Sequence, residues 1–396
     1  MGIIDIREYC NENFEYVKYH NNKVYYCKGW ELENKWIIDF YFYDIKENIE
    51  HKINKIKIIT SDFYNKKIYL YKNNIIIPII NDNEIKIFRI DMDLNIIDEI
   101  YKFQIDEEIY SGIDFLGMDY FILYIDESNL ENEKFDVQKD IQGEYIKAIL
   151  YNIKDCGKYE ILDKRIVLGV RDYLEYFNYK GKEFLVFEEA YMEDWEQEEA
   201  YNENCNKDKY HRNSFRESIN VISLNKFVDK IKEKATNLPF YQIHKTEIDG
   251  WTRYFGMDEI NIYYRTKKFN TGIETIYAVN KETLVEEKIC EIDFNKLGNN
   301  KLRYHVENRK IYSEHSDELK KYVKGIYNSN LDINFEKKLG NFHTVLDDEY
   351  LLTYYWEEDS QDNYYDYMVI KNLINNEEKL YQGLAYISGD LVILCK

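Results

Sequence analysis

The sequence predicts an all-β fold assembled from repeated four-stranded antiparallel units. Composition points there first: 40 of the 396 residues are Tyr and only 2 are Pro, and aromatic and β-branched side chains suit pleated, half-buried surfaces. A second sign is periodic. A short apolar run, a tight polar turn and a second, usually more apolar run recur along the chain. The third sign is turn chemistry. The connecting dipeptides are Asn-Asn, Lys-Gly, Asp-Asp and Gly-Asp, which tolerate tight hairpin geometry.

The paired runs follow in order. They are FEYVKYHNNKVYYC from Phe14, KKIYLYKNNIIIPI from Lys66, SGIDFLGMDYFILYI from Ser111 and YLEYFNYKGKEFLVF from Tyr173. The next are WTRYFGMDEINIYY from Trp251, LRYHVENRKIYS from Leu302, FHTVLDDEYLLTYY from Phe342 and LAYISGDLVILC from Leu384. Each pair except the last is followed by two further strand-like runs, as WIIDFYFYD and NIEHKI follow the first. That makes four strands per unit at a period of about 50 residues. No hairpin buries its own apolar face, so the units must pack on one another. The last pair lacks further strands, and GIIDIR, residues 2 to 7, can supply its outer strand and remove an exposed edge.

The pattern resembles the β-propeller superfamily over nearly the whole chain, as repeat architecture only. The resemblance implies one propeller domain over residues 1–396, closed by N- and C-terminal strands. Eight blades are expected, with seven and one irregular hairpin as the alternative. The Gly-His and Trp-Asp marks of WD40 blades are absent. So are the paired glycines of kelch repeats and the Ser-x-Asp-x-Gly box of sialidase-like propellers, so the resemblance brings no functional family and no site residues.

One helix is legible, over 224–236 in the fourth unit. Ser223 stands where an N-cap belongs. Leu224, Phe227, Val228 and Ile231 follow at helical spacing, and Pro239 cannot continue a helix. The apolar stripe is expected to pack on the propeller's underside.

A net charge of −21 repels phosphate backbones and anionic bilayers, so nucleic acid and membrane are not expected partners. It favours a basic protein or a cationic ligand, or simply keeps a Tyr-rich surface soluble. The opening MGIIDIREYC lacks a basic leader region and an apolar core. The six cysteines are scattered without a CxxC pair, as in reduced, cytoplasmic proteins. A monomer without cofactor or metal is expected.

Functional expectations centre on loops. Residues 187–203, FEEAYMEDWEQEEAYNE, carry eight carboxylates and no basic residue. They open an acidic insertion expected over 188–216, between the second and third strands of the fourth unit. Equivalent loops at 126–136, 356–366, 30–36 and 313–318 are also acidic, whereas 265–270 is basic. Carboxylates interleaved with aromatics suit cationic ligands. The expected docking residues are Trp30, Glu127, Glu189, Glu193, Asp194, Trp195, Glu196, Trp356, Glu357 and Glu358. A calcium loop is a weaker reading, for the stretch has no Gly and no DxDxDG order; a purely solvated insertion is the plain one.

Signatures of metalloproteases, serine hydrolases, P-loops and dinucleotide sites are absent. Charged residues on or just before the first strands are channel candidates: Asp114, Asp172, Glu175, Arg253, Arg303 and His343. They suit either acid–base chemistry or a ring of salt bridges. The primary expectation is a non-enzymatic scaffold that engages a basic partner through its acidic loop face. The alternative is a channel-centred hydrolase or lyase, or a glycan binder.

Overall fold

The computed structural model describes residues 1–53, 58–60, 67–81, 84–104, 112–126, 146–163, 166, 174–192, 215–245, 250–268, 271–293, 302–305, 310–313, 341–347, 349–358 and 364–395. The chain is an all-β propeller of antiparallel blades with, among the described residues, one α-helical element of more than one turn. It divides into two compact units, Met1–Glu108 with Ile333–Lys396, and Ile109–Asp332.

In the first unit β1 (Gly2–Asp5) is followed by the sheet β2 (Phe14–His20), β3 (Lys23–Leu32), β4 (Lys35–Asp44) and β5 (Ile49–Lys52). β6 (Ile58–Thr60) pairs with the other end of β4, so the fourth strand is split in two. The next sheet is β7 (Tyr69–Tyr71), β8 (Asn74–Asn81), β9 (Glu84–Asp91) and β10 (Ile96–Gln104).

The second unit opens with β11 (Gly112–Leu116), β12 (Tyr120–Asp126), β13 (Ile146–Asn152) and β14 (Lys158–Glu160). Then come β15 (Leu174–Tyr179), β16 (Lys182–Met192), β17 (Phe215–Ser223), helix α1 (Leu224–Lys232) and β18 (Tyr241–Lys245). β19 (Gly250–Met257), β20 (Asn261–Lys268), β21 (Ile273–Asn280) and β22 (Glu286–Asp293) form the following sheet. The hairpin β23 (Leu302–His305) and β24 (Lys310–Ser313) is the last described element of the unit.

The first unit resumes with β25 (Asn341–Leu346), β26 (Tyr350–Glu358), β27 (Tyr364–Asn372) and β28 (Glu378–Gln382), then β29 (Ala385–Ser388) and β30 (Leu391–Leu394). All eight hairpins read from the sequence are present. β1 joins the last of them, pairing parallel to β30 with Gly2 opposite Leu391 and Asp5 opposite Leu394.

Period-two alternation divides each second strand between two interfaces. On β3, Val24 and Tyr26 pack with Ile4 and Ile393, whereas Tyr25 and Cys27 pack with Ile75 and Ile77 of β8. On β16, Leu185 and Phe187 join Leu116 and Ile122, whereas Val186 joins Ile262 and Val279. Both faces are buried, so these strands read as continuous apolar runs rather than as alternation. The turns match their residues: Asn21 and Asn22 both adopt left-handed φ, 49° and 59°, as a two-residue hairpin requires.

Helix α1 buries Leu224, Phe227, Val228 and Ile231 against the β11–β14 and β15–β18 sheets. It ends four residues before the expected 236, because Lys234 turns left-handed at φ 59°. Ser223 holds the N-cap position without a side-chain capping bond. Asp163, 1% exposed, accepts the Leu238 N–H at 2.6 Å and fixes the chain beyond the helix.

Candidate functional site

Of the expected docking residues, Trp30, Glu189, Trp356, Glu357 and Glu358 stand on strands. Trp30 is a β3 residue opposite Ile37, 6.4 Å from the Tyr41 ring. Its segment, 30–36, is two strands joined at Glu33 and Asn34, with φ of 51° and 61°, and not an open loop. Glu189 lies in β16 opposite Ser218. Trp356, Glu357 and Glu358 lie in β26 opposite Asp366, Tyr365 and Tyr364, and Glu357 is exposed. Glu127, Glu193, Asp194, Trp195 and Glu196 fall outside the described residues. The expected insertion over 188–216 is strand at both ends, with Met192 paired to Phe215.

Asp114, Glu175, Arg253, Arg303 and His343 stand on β11, β15, β19, β23 and β25, each the first strand of its sheet. Asp172 falls outside the described residues. Asp114 lies near Tyr124, whose phenol is raised by burial first and by the Asp114 charge next. The His343 ring meets Tyr354 edge-on, centroids 6.0 Å apart. Arg303 pairs across its hairpin with Tyr312.

Glu175 and Arg253 are brought into one cluster of the second unit, through two residues the sequence reading missed. Glu188 on β16 is 4% exposed. One carboxylate oxygen, Oε1, accepts from Arg253 Nη1. The other, Oε2, accepts the Tyr254 backbone N–H at 2.8 Å. β19 is an edge strand, so that N–H has no ladder partner on its outer side and must find one elsewhere. A bulge follows between Tyr254 and Gly256, where φ reaches 134°, a value that favours glycine. The Tyr254 hydroxyl donates to Glu175 Oε2. Burial, then the Glu175 charge, pushes the Tyr254 phenol far above its ordinary value and keeps it protonated.

Lys281 lies close by, 9% exposed, with Nζ 2.5 Å from the Asp258 carbonyl and 4.8 Å from the Phe177 ring centroid. Burial lowers its pKa, opposed by the charges of Asp258, Glu175 and Glu259.

The arrangement holds a guanidinium, a carboxylate and a phenol proton in fixed relation. The Arg253 side chain is 40% exposed while its carboxylate partner is buried, so the cation is oriented from one side. Glu175 is exposed and carries a permanent donor on one oxygen, leaving the other to take a proton. Arg253 pairs with a second-strand carboxylate, Glu188. Among the described residues no group of His, Cys, Asp and Glu is arranged to hold a metal ion, and no helix is long and apolar enough to cross a membrane.

No family model matches the chain, and no curated protein matches it. Solved structures do. An oligogalacturonate lyase in complex with manganese is 9% identical, with 88% of this chain and 85% of that one covered and a TM-score of 0.39. The β-propeller domain of the Trilobed protease from Pyrococcus furiosus is 10% identical, with coverage of 93% and 98% and a TM-score of 0.41. An acylaminoacyl peptidase in complex with a chloromethyl ketone is 11% identical, with coverage of 96% and 54% and a TM-score of 0.43. The match thus spans about half of that peptidase. These likenesses concern architecture. The proteins they name, a lyase and proteases, stand against the expectation of a non-enzymatic scaffold and fall in the class held second in the sequence reading, while the likeness itself shows the fold alone.

Proposed function

We propose that the chain is a hydrolase or lyase whose acid–base chemistry is carried by Glu175 and Arg253. The observation that supports this reading is the double grip of buried Glu188 on the Arg253 guanidinium and the Tyr254 N–H, with the Tyr254 hydroxyl on Glu175. Glu175 acts as general base through its free oxygen. Arg253 stabilises the negative charge that develops on the substrate, as fixed donors do in a site that needs no reorganisation. Glu188 and Tyr254 are positioning residues: one orients the guanidinium, the other the base.

The test is turnover by the purified full chain on a panel of chromogenic peptide, ester and glycoside substrates and an uronide polymer. Arg253→Lys keeps the charge beside Glu188 but loses the planar fork. It is expected to lower kcat/KM by about 100-fold on whichever substrate is turned over, with an unchanged melting temperature. No turnover on any member of the panel, or equal turnover by the variant, overturns the reading.

A further inference from the structure

We infer that Cys10 and Cys395 form an oxidisable pair, a disulfide site that ties the turn after β1 to the end of β30. The backbone brings the two together. β1 and β30 run parallel, and the Ile6 N–H continues their ladder onto the Leu394 carbonyl at 3.0 Å. Cys10 closes the 3-10 turn Arg7–Tyr9, and its Sγ lies 3.3 Å from the Ile6 carbonyl oxygen. Cys395 directly follows β30 and is held by its N–H to the Leu384 carbonyl at 2.8 Å.

Both side chains pack in one apolar cluster with Ile6, Tyr26 and Ile393. The Cys10 side chain, ahead of burial, holds the Cys395 proton far above the ordinary thiol range. The shared cluster and the Ile6–Leu394 bond thus bring the two cysteines together, the proximity that disulfide formation requires.

Their unequal exposure sets the order of events. Cys395 is 0% exposed. Cys10 is half-buried and lines a 940 Å³ cleft shared with Arg7, Glu8, Tyr365, Asp366 and Gln382. A small oxidant reaches Cys10 from this cleft. With a low-molecular-weight disulfide, RSSR, the Cys10 sulfur attacks one oxidant sulfur. A Cys10–SR bond forms, the RS–SR bond breaks, and the first RSH leaves with the Cys10 proton. The Cys395 sulfur then attacks the Cys10 sulfur of that mixed disulfide. The Cys10–Cys395 bond forms, and the second RSH leaves with the Cys395 proton. Two protein thiols lose two electrons and RSSR gains them.

The consequence is mechanical. The β1–β30 ladder spans only four residue pairs, and nearly all of the chain lies between residues 10 and 395. A crosslink across so long a loop removes much freedom from the unfolded chain.

The experiment uses the full chain carrying Cys156→Ser, which removes an exposed thiol. Incubation with oxidised glutathione, digestion without reductant and mass spectrometry should yield a peptide joining Cys10 to Cys395. The melting temperature should rise by about 5 °C and return with dithiothreitol. Cys10→Ser, at a half-buried position, should keep the reduced melting temperature while losing both the crosslink and the rise; Cys395→Ala should lose the crosslink too. A glutathione adduct that stays on Cys10, a crosslink to another cysteine, or thiols that remain reactive after oxidation would overturn the inference.

Discussion

Glu188 carries an unusual share of local structure for one side chain, because both of its oxygens serve a neighbouring sheet. Its removal strands a cation and an edge N–H together. Glu188→Ala is therefore expected to cost about 3–5 kcal/mol, the range for breaking one partner of a buried ion pair. Glu188→Gln keeps the shape and should cost about half as much. Urea unfolding measures both, and an Ala variant as stable as wild type would contradict the assigned geometry. The site was only half legible. Glu175 and Arg253 stood out as charges on first strands. Glu188 did not, because it begins a run of carboxylates that reads as solvated loop. Nothing local marks Glu188; what buries it is the edge of another sheet. Tyr254 and Lys281 were hidden for the same reason, each defined by partners far away in sequence.

The tyrosines supply a pH prediction. Burial raises the phenols of Tyr25, Tyr26, Tyr176 and Tyr264, and pushes Tyr41 up to about 12. An unfolded tyrosine titrates near ~10. Groups whose folded values are raised contribute stability that is fully present below that unfolded value. It is lost as pH rises through the folded values. The protein should therefore resist denaturant evenly up to about pH 10 and weaken steeply above it. Phenolate absorbance should appear together with loss of β-sheet circular dichroism. Complete phenolate titration with the sheet signal intact would show that these rings are not buried as described.

Elements were easier to read than residues. The eight hairpins were legible because second strands buried on both faces give unbroken apolar runs beside turn residues. Helix α1 was legible from its stripe, and its end was missed because Lys234 entering a left-handed conformation leaves no mark in composition. The loop at 30–36 was misread because charged residues extend β3 and β4 past the apolar core. Phe227 is 0% exposed at the centre of the helix contact, so Phe227→Ala should cost about 3–5 kcal/mol, measured by urea unfolding. The β16–β17 ladder closes at Met192 opposite Phe215. Replacing 193–214 with Asn-Gly should then leave both strands paired, since that turn suits a two-residue hairpin. Loss of the native sheet spectrum in this variant would mean that the excised residues support the fold.

At the scale of the molecule, the charge of −21 suggested a docking role in the sequence reading. The proposed function instead puts chemistry at the cluster in the second unit. The fold supplies what such a site needs: edge strands whose open N–H groups fix side chains, and paired sheets that bury one carboxylate while exposing another. Of the long acidic stretch it uses the first carboxylate, Glu188. The most direct measurement of that claim is kcat/KM for Glu175→Gln against wild type on a substrate the chain turns over, with melting temperatures taken alongside. Gln can still accept the Tyr254 hydroxyl but cannot take a proton. The account predicts a loss of about 100-fold or more with an unchanged melting temperature. A Glu175→Gln protein that turns over substrate as fast as wild type would contradict it.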